Sequence, residues 1–543
     1  MKKSSFRSLG TMLDCSRNAV PNLETLKKWV NLTASLGFNT LLLYTEDTYE
    51  LPDEPYFGYM RGRYTQQELR ELDAYACAHG MTLIPCIQTL AHLYAIKRWP
   101  EYWQHFDTDD ILLADDERVY LLIEHMFQSL AASFSCRTVH IGMDEAEMIA
   151  RGRYYTQHGD CDRLQLLLRH LKHVCAIGEK YGFRFLIWSD MFFKLATGGQ
   201  YYDDQMQIDE RVREQIPENV ELVYWDYYST QKPHYDGMLR AHQKLKESTR
   251  FAGGLWKWTG YAPHNGYSVE ITKAALASCR EHGVQDVFFT MWGDDGGECS
   301  PFTLLPSLFY ASELAKGMED DAAIREAFAQ CFGVAFDDFM QLDLPGTRNA
   351  LTDGYRNLDK LLLYSDPFMG MMDKTVLPGE GAQFGVCAEH LESLADLPEW
   401  GYLFETLGAL CRVLEGKAEL GVRVHAAYHS GNKDTLQASI SDFDETLRRL
   451  ERFHAVYCAQ WMRENKPHGF DVQDIRLGGL MQRLKTCRAR LERYCAGELD
   501  RLEELEEEQL DFFDGGRRCP TPSFTPWGLI ATANIVYNTG MII

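Results

Sequence analysis

At 543 residues the chain is longer than one hydrophobic core usually supports, so two or more domains are expected. Its 45% hydrophobic and 25% charged residues are those of an ordinary soluble protein, and a formal net charge of -24 argues against nucleic acid or anionic membrane as main partner. A neutral or small polar ligand fits that charge. The N-terminal stretch Met1-Lys-Lys-Ser-Ser-Phe-Arg-Ser-Leu-Gly10 has positive charge without an apolar segment behind it, and no apolar run reaches membrane-spanning length. The 15 cysteines form no Cys-x-x-Cys pair, which indicates neither a disulfide framework nor a zinc knuckle and predicts a reducing, cytoplasmic setting. The pairs His170/His173 and His425/His429 lack the glutamate of a zinc-protease helix and read as solvated helix faces, so no metal and no other cofactor is expected.

Residues 8–16 read as a short strand, and 23–36 as a helix stopped by Gly37. The pattern then repeats. Residues 40–46 form a strand, 65–78 a helix opened by the Thr65-x-x-Glu68 capping box, 82–88 a third strand and 116–134 its helix. The fourth strand pattern, Thr138-Val-His-Ile-Gly-Met-Asp144-Glu145-Ala-Glu147, is β-branched and apolar and stops on a pair of acids. A helix over 163–181 comes next. Strands over 183–191, 220–228, 251–260 and 286–294 alternate with helical patterns over 237–247, 268–282 and 302–316. Eight strand-helix units within about 320 residues predict an α/β fold, a closed (β/α)8 TIM barrel, over residues 1–320. A doubly wound open sheet would usually show fewer units and often a Gly-rich first turn, which is absent.

In such a barrel the active site lies at the C-terminal mouth, so the strand ends carry the information. They hold Asp14 and Arg17; Glu46 and Asp47; Gln88 and His92; Asp144 and Glu145; Trp188 and Asp190; Trp225 to Tyr228; Trp256 and Trp258; and Trp292, Asp294 and Asp295. Five of the 11 tryptophans fall on these ends. Aromatic faces stack on sugar rings and carboxylates accept hydrogen bonds from hydroxyls, so the ring suits a carbohydrate. Two adjacent acids in limited water cannot both ionise cheaply, which makes one of Asp144 and Glu145 a proton donor near neutral pH. The competing reading is that the two acids simply open the following helix, where its dipole favours negative charge.

From about Asp320 onward the pattern is helical without strands. Apolar spacing of three and four predicts helices over 382–397, 400–415, 433–465 and 472–512, hence a mainly α-helical C-terminal domain over 321–543. The acidic run 503–508 reads as a solvated helix face, and the apolar tail 524–543 as a strand or hairpin. The long amphipathic helices must bury their stripes either on the barrel or in a homodimer.

These residues resemble the β-N-acetylhexosaminidases of glycoside hydrolase family twenty. His140-Ile-Gly-Met-Asp144-Glu145 is similar to that family's His-x-Gly-x-Asp-Glu signature. Met12-Leu-Asp-Cys-Ser-Arg17, Tyr44-Thr-Glu-Asp47, His92, Trp225-Asp-Tyr227 and Trp292-Gly-Asp294 support it in order. Lacking an export signal, the chain looks more like the intracellular members, the hexosaminidase D type among them. The resemblance implies removal of terminal, non-reducing β-linked N-acetylglucosamine or N-acetylgalactosamine from a small carbohydrate by substrate-assisted catalysis, a route that needs no enzyme nucleophile. It further implies Glu145 as general acid and base, Asp144 as the group that orients the acetamido N–H, and Tyr227 as donor to the acetamido oxygen. Trp188, Trp225 and Trp292 are implied as walls of the sugar pocket and Asp294 as a partner of its hydroxyls. Two departures stand out. The family's arginine before the first-strand motif is replaced by Ser8-Leu9-Gly10-Thr11, with Arg7 nearest, which passes hydroxyl recognition to Glu46, Asp47 or Arg17. Gln88-Thr-Leu-Ala-His92 replaces the usual Asp-x-Pro-Gly-His, with His92 implied to tune the acid. The alternatives are a two-carboxylate glycosidase using Asp190 or Asp294 as nucleophile, a non-catalytic sugar-binding barrel, and a zinc-dependent deacetylase, which the missing histidine ligands disfavour.

Overall fold

The computed structural model describes residues 4–205, 210–348, 356–511 and 531–533. Eight parallel strands close in sequence order into a barrel: β1 (Ser8–Asp14), β2 (Thr40–Tyr44), β3 (Thr82–Cys86), β4 (Thr138–His140), β5 (Arg184–Trp188), β6 (Val220–Trp225), β7 (Thr249–Gly254) and β8 (Asp286–Met291). Alternation along each strand separates two cores. Met12, Leu42, Tyr44, Ile84, Leu186 and Val223 fill the inside, whereas Leu9, Leu13, Leu41, Leu43 and Leu83 face the surrounding helices. Register links Asp14 to Tyr44, Tyr44 to Cys86, Cys86 to His140 and His140 to Leu186, so the C-terminal ends share one rim.

The helix boundaries obey local chemistry. Asn22 caps Leu23–Leu36 by accepting from the Thr25 N–H, and Gly37 ends it at φ +97, a left-handed conformation that suits glycine. Thr65 and Glu68 form the expected capping box of Gln66–Ala78.

Strand pairing ends earlier than the apolar runs predict. The fourth strand stops at His140, because Gly142, Met143 and Glu145 all take positive φ, which a paired ladder does not allow.

Beyond the last barrel helix, Leu305–Ala315, come the helices Asp321–Phe332, Leu358–Tyr364, Glu380–Ser393, Gly401–Lys417, Leu420–His429, Lys433–Glu464 and Phe470–Cys495. The single helix expected over 472–512 ends at Cys495, where Gly497 at φ +78 turns the chain. A short helix, Glu503–Glu506, comes after it; Glu503, Glu506, Glu507 and Glu508 are exposed, as a solvated face requires, and Glu503, Glu504 and Glu506 also pair with Arg490 and Arg501. The tail expected as a strand lies outside the described residues apart from 531–533.

Much of the apolar surface of these helices is covered within one chain, although Val386, Met462 and Ile475 stay exposed. From Lys433–Glu464, Phe453 and Tyr457 each meet Tyr261 of the barrel at 5.4 Å, while Phe302 packs on Trp400 and Phe309 on Phe328. Main-chain bonds add to this junction: Asn22 N–H donates to Glu464 O (3.0 Å) and Lys466 N–H to Val20 O (2.8 Å). The histidine pairs are solvated faces at only one member each: His173 and His429 are exposed, the other two are not. His170 is buried against the Thr89 carbonyl (2.9 Å) and His425 against the Phe368 carbonyl (2.8 Å). Among the described residues no helix is long and apolar enough to cross a membrane, and no group of three or more His, Cys, Asp or Glu is placed to hold a metal ion.

Candidate active site

The rim of the barrel encloses a pocket lined by Arg17, Tyr44, His92, Asp144, Glu145, Trp188, Trp225, Tyr227, Tyr228, Trp258, Trp292 and Asp294. The turn after β4 delivers the two acids. Its positive φ values at Gly142 (+70), Met143 (+70) and Glu145 (+52) send adjacent side chains into different surroundings, and Glu46 and His92 share this left-handed geometry. Such clustering of uncommon backbone angles marks a site where structure is held for function.

Asp144 is buried and well anchored. Its Oδ1 accepts from Gln88 Nε2 (2.9 Å), and its Oδ2 lies 3.2 Å from His92 Nε2. Burial alone would raise its pKa, but the His92 cation and these bonds outweigh burial and hold the carboxyl below its usual range. For His92 burial works against the charge and the neighbouring Asp144 overcomes it, so the imidazolium persists well above its ordinary pKa. Glu145 differs. Its side chain is 51% exposed to the pocket and stands 3.6 Å from His92, and its pKa is raised by burial first, opposed by His92 and reinforced by Asp144. Asp144 is thus kept ionised by His92 and its hydrogen bonds, whereas Glu145 is biased toward its protonated form by burial and by the charge of Asp144, against the pull of the same cation.

Asp190, the alternative nucleophile, is sealed. It is fully buried at the start of the helix Asp190–Thr197, where it accepts from the Glu145 N–H (3.0 Å) with Lys194 at 3.4 Å. Burial, with Asp144's charge added, pushes its pKa up to about 7. It braces the turn after β4 from behind.

Across the pocket, Arg17 lies just beyond the end of β1. Its guanidinium bonds Asp14 (3.0 Å) and lies 3.3 Å from Glu46 and 3.9 Å from Asp294, over the Tyr44 ring at 5.1 Å. Arg7 is at the opposite end of the barrel, bound to Asp286 at the start of β8. Asp294 is 42% exposed, and burial of the remainder raises its pKa against the pull of Arg17. The aromatic wall is built by Trp225 stacked with Tyr227 (5.5 Å), by Trp258 edge-on to Tyr227 (5.4 Å), and by Trp292, whose Nε1–H donates to Tyr227 Oη (3.1 Å). Trp188 closes the floor, 6.2 Å from Trp292.

Of the residues singled out in the sequence, Asp144, Glu145, Tyr227, His92, Trp188, Trp225, Trp292 and Asp294 come together around this pocket. Glu46 lines an adjoining, more open chamber, with Arg17, His92 and Asp294 shared between the two. Asp47 lines neither, because Arg61 holds both its oxygens at 3.3 Å and keeps it buried. Sequence reasoning gave no role to Gln88, which also donates to Tyr44 Oη (3.0 Å), and it missed Val472 and Arg476, which reach the outer chamber from the helical half. A glutamine 56 residues from its partner carries no local signal.

Two family profiles match the chain. Residues 5–234 match "Glycosyl hydrolase family 20, catalytic domain" and residues 335–519 match "Glycoside Hydrolase 20C C-terminal domain". A beta-hexosaminidase of Vibrio furnissii is 31% identical over 179 residues, covering 26% of this chain and 29% of that protein. Hexosaminidase D of Bos taurus is 25% identical over 268 residues, 45% of this chain and 69% of that protein. The chain therefore spans less than a third of the first relative and about two thirds of the second. The crystal structure of a GH20 exo beta-N-acetylglucosaminidase from Vibrio harveyi in complex with N-acetylglucosamine is 18% identical and covers 63% of this chain and 59% of that one, with a TM-score of 0.46.

Proposed function

We propose that this chain, which belongs to glycosyl hydrolase family 20 and is by that membership a glycoside hydrolase, is an exo-acting, retaining β-N-acetylhexosaminidase that uses substrate-assisted catalysis. The observation that carries the proposal is the His92-centred pair: Asp144 held ionised and buried, Glu145 raised and open to the pocket, both from one turn. Neighbouring side chains on one turn are poorly placed to flank a glycosidic bond from opposite faces, and Asp190 is sealed away from the pocket. The sugar's own 2-acetamido oxygen supplies the nucleophile instead.

In this reading Glu145 donates its proton to the glycosidic oxygen as the C1–O bond breaks and the acetamido oxygen bonds to C1, giving an oxazolinium-like intermediate. Asp144 accepts from the acetamido N–H and offsets the positive charge that develops there. Tyr227 Oη donates to the acetamido oxygen. Glu145, now ionised, takes a proton from the water that opens the ring at C1, and both steps at C1 together return the β configuration. Trp188, Trp225 and Trp292 wall the sugar, and Asp294, with Arg17 and Glu46 beside it, takes its hydroxyls. The substrate is a small carbohydrate ending in N-acetylglucosamine or N-acetylgalactosamine, and the reaction asks for no cofactor. A reducing cytoplasm is part of the same proposal, supported by cysteines that are free at every described position.

Aryl β-N-acetylglucosaminide, aryl β-N-acetylgalactosaminide and aryl β-glucoside, assayed side by side, test the proposal. Turnover of at least one of the first two with none of the third is expected. Comparable turnover of the glucoside would transfer the assignment to a two-carboxylate glycosidase with Asp294 as partner of Glu145.

A further inference from the structure

The helical half touches the barrel mouth through a small set of charged and polar groups, and these converge on the loops after β7 and β8. The segment from Asn357 to Lys360 opens the helix Leu358–Tyr364. Asn357 Nδ2 donates to the Thr259 carbonyl (3.0 Å), and Asp359 Oδ2 accepts from the N–H groups of Tyr261 (2.8 Å) and Ala262 (3.0 Å), so two residues fix the loop that carries Trp258. One position further on, Lys360 Nζ binds Glu298 Oε2 (2.7 Å) and Asp295 Oδ2. From the helix Phe470–Cys495, Arg476 donates to Asp295 O (2.6 Å), Asp295 Oδ1 (3.1 Å) and Glu298 Oε1 (2.8 Å).

This quartet is nearly sealed from water. The side chains of Lys360, Arg476, Asp295 and Glu298 are exposed by 0, 4, 3 and 3%. Two cations balance two carboxylates, each bonded to more than one partner, which is the condition under which buried charge is tolerated. Asp295 sits directly after Asp294, and Trp292 lies three residues before it. A buried pair stabilises little beyond an apolar substitute, but pulling one partner away leaves a desolvated charge unpaired, so displacing either loop from this quartet is costly.

We propose that Lys360, Arg476 and Asp359 are positioning residues for sugar recognition: they clamp the loops after β7 and β8 so that Trp258, Trp292 and Asp294 meet the sugar in one fixed arrangement. The inference rests on the hexosaminidase reading for the identity of the sugar and extends it to the role of the helical domain. The clamp acts on binding of the hydroxyl edge and not on Glu145, whose turn it does not touch.

The test uses the full chain carrying Lys360→Gln or Arg476→Lys. The second keeps the charge but loses the fork that reaches Asp295 and Glu298 together, and it is the milder change for folding. In folded protein, each variant is expected to raise KM for the aryl N-acetylhexosaminide about tenfold or more while kcat changes less than threefold. Hydrogen-deuterium exchange is expected to rise in residues 255–262 and 293–299 and to stay at wild-type level in β1 to β4. A lowered melting temperature with unchanged KM and unchanged exchange in those two loops would overturn the proposal, reducing the quartet to a stabilising contact. Wild-type turnover tests the hexosaminidase reading separately, and exchange reads the clamp whether or not that substrate is turned over.

Discussion

Glu145 and Asp144 are adjacent in sequence and receive opposite electrostatic treatment: at Asp144 the His92 cation at 3.2 Å and the Gln88 bond outweigh burial, whereas at Glu145 burial and the charge of Asp144 outweigh the same cation at 3.6 Å. That geometry sets the expected behaviour of two variants. Glu145→Gln leaves the departing oxygen without its proton, and hydrolysis of an unactivated disaccharide is expected to fall by about 10²- to 10⁴-fold. An aryl leaving group of low pKa needs less help and should lose less; equal losses on both substrates would remove Glu145 from the acid role. His92→Asn keeps a residue type that tolerates φ +58 and removes the cation. Both carboxyl pKa values are lowered by that cation, so both rise when it is lost. The acid limb of kcat/KM, set by ionisation of Asp144, and the alkaline limb, set by protonation of Glu145, should therefore both move to higher pH. A rate loss of about 10- to 100-fold, the worth of a charge-assisted hydrogen bond, should accompany the shift. Limbs that stay in place would show that His92 does not tune the pair. At this scale the two acids were legible because they close a short motif, and His92 because it lies just beyond a strand end. Gln88 was not, since its bond to Asp144 depends on a turn that only the fold brings near it.

The strand-helix rhythm was legible down to single caps, as at Asn22, Gly37 and Thr65, because those signals are local. Strand ends were not. Apolar runs continue past the last paired residue, and nothing in Ile141 to Glu145 announces three positive φ angles before the turn is seen. Gly142 is the hinge of that turn. A Cβ there would lie 1.9 Å from Gln88 Oε1, and φ is +70. Gly142→Ala is expected to cost about 1 to 3 kcal/mol from backbone strain alone. It should also push Gln88 off Asp144, so activity should fall in protein that still folds. Thermal unfolding and kcat measured on the same preparation check this, and a variant with wild-type values of both would mean the turn is not held as described. The long helix expected to Phe512 fails for the opposite reason: Ala496-Gly497 is an ordinary dipeptide whose left-handed glycine ends the helix.

Closure by eight strands of its own does not make the barrel independent of the helical half, although the sequence alone left that half without an assigned surface. Packing removes the freedom. Tyr261, Phe302 and Phe309 of the barrel half are each covered by an aromatic from beyond Asp320. At roughly 2 kcal/mol for each such side chain returned to water, their exposure approaches the 5 to 15 kcal/mol that holds a typical domain folded. A chain ending at Lys316 is thus expected to be insoluble or unstable, and a soluble truncation that unfolds cooperatively, followed by circular dichroism, would contradict this dependence. How the halves meet was not legible because the contacting residues lie hundreds of positions apart, as with Asn22 and Glu464.

Participation of the sugar's own acetamido group is the claim on which the chemistry turns, and one series tests it most directly. Aryl 2-acetamido glycosides in which the acetyl methyl carries zero, one, two or three fluorines make that oxygen progressively less nucleophilic without altering the leaving group. Acetamido participation predicts a steep, monotonic fall of kcat/KM across the series, whereas rates independent of fluorine number would contradict it.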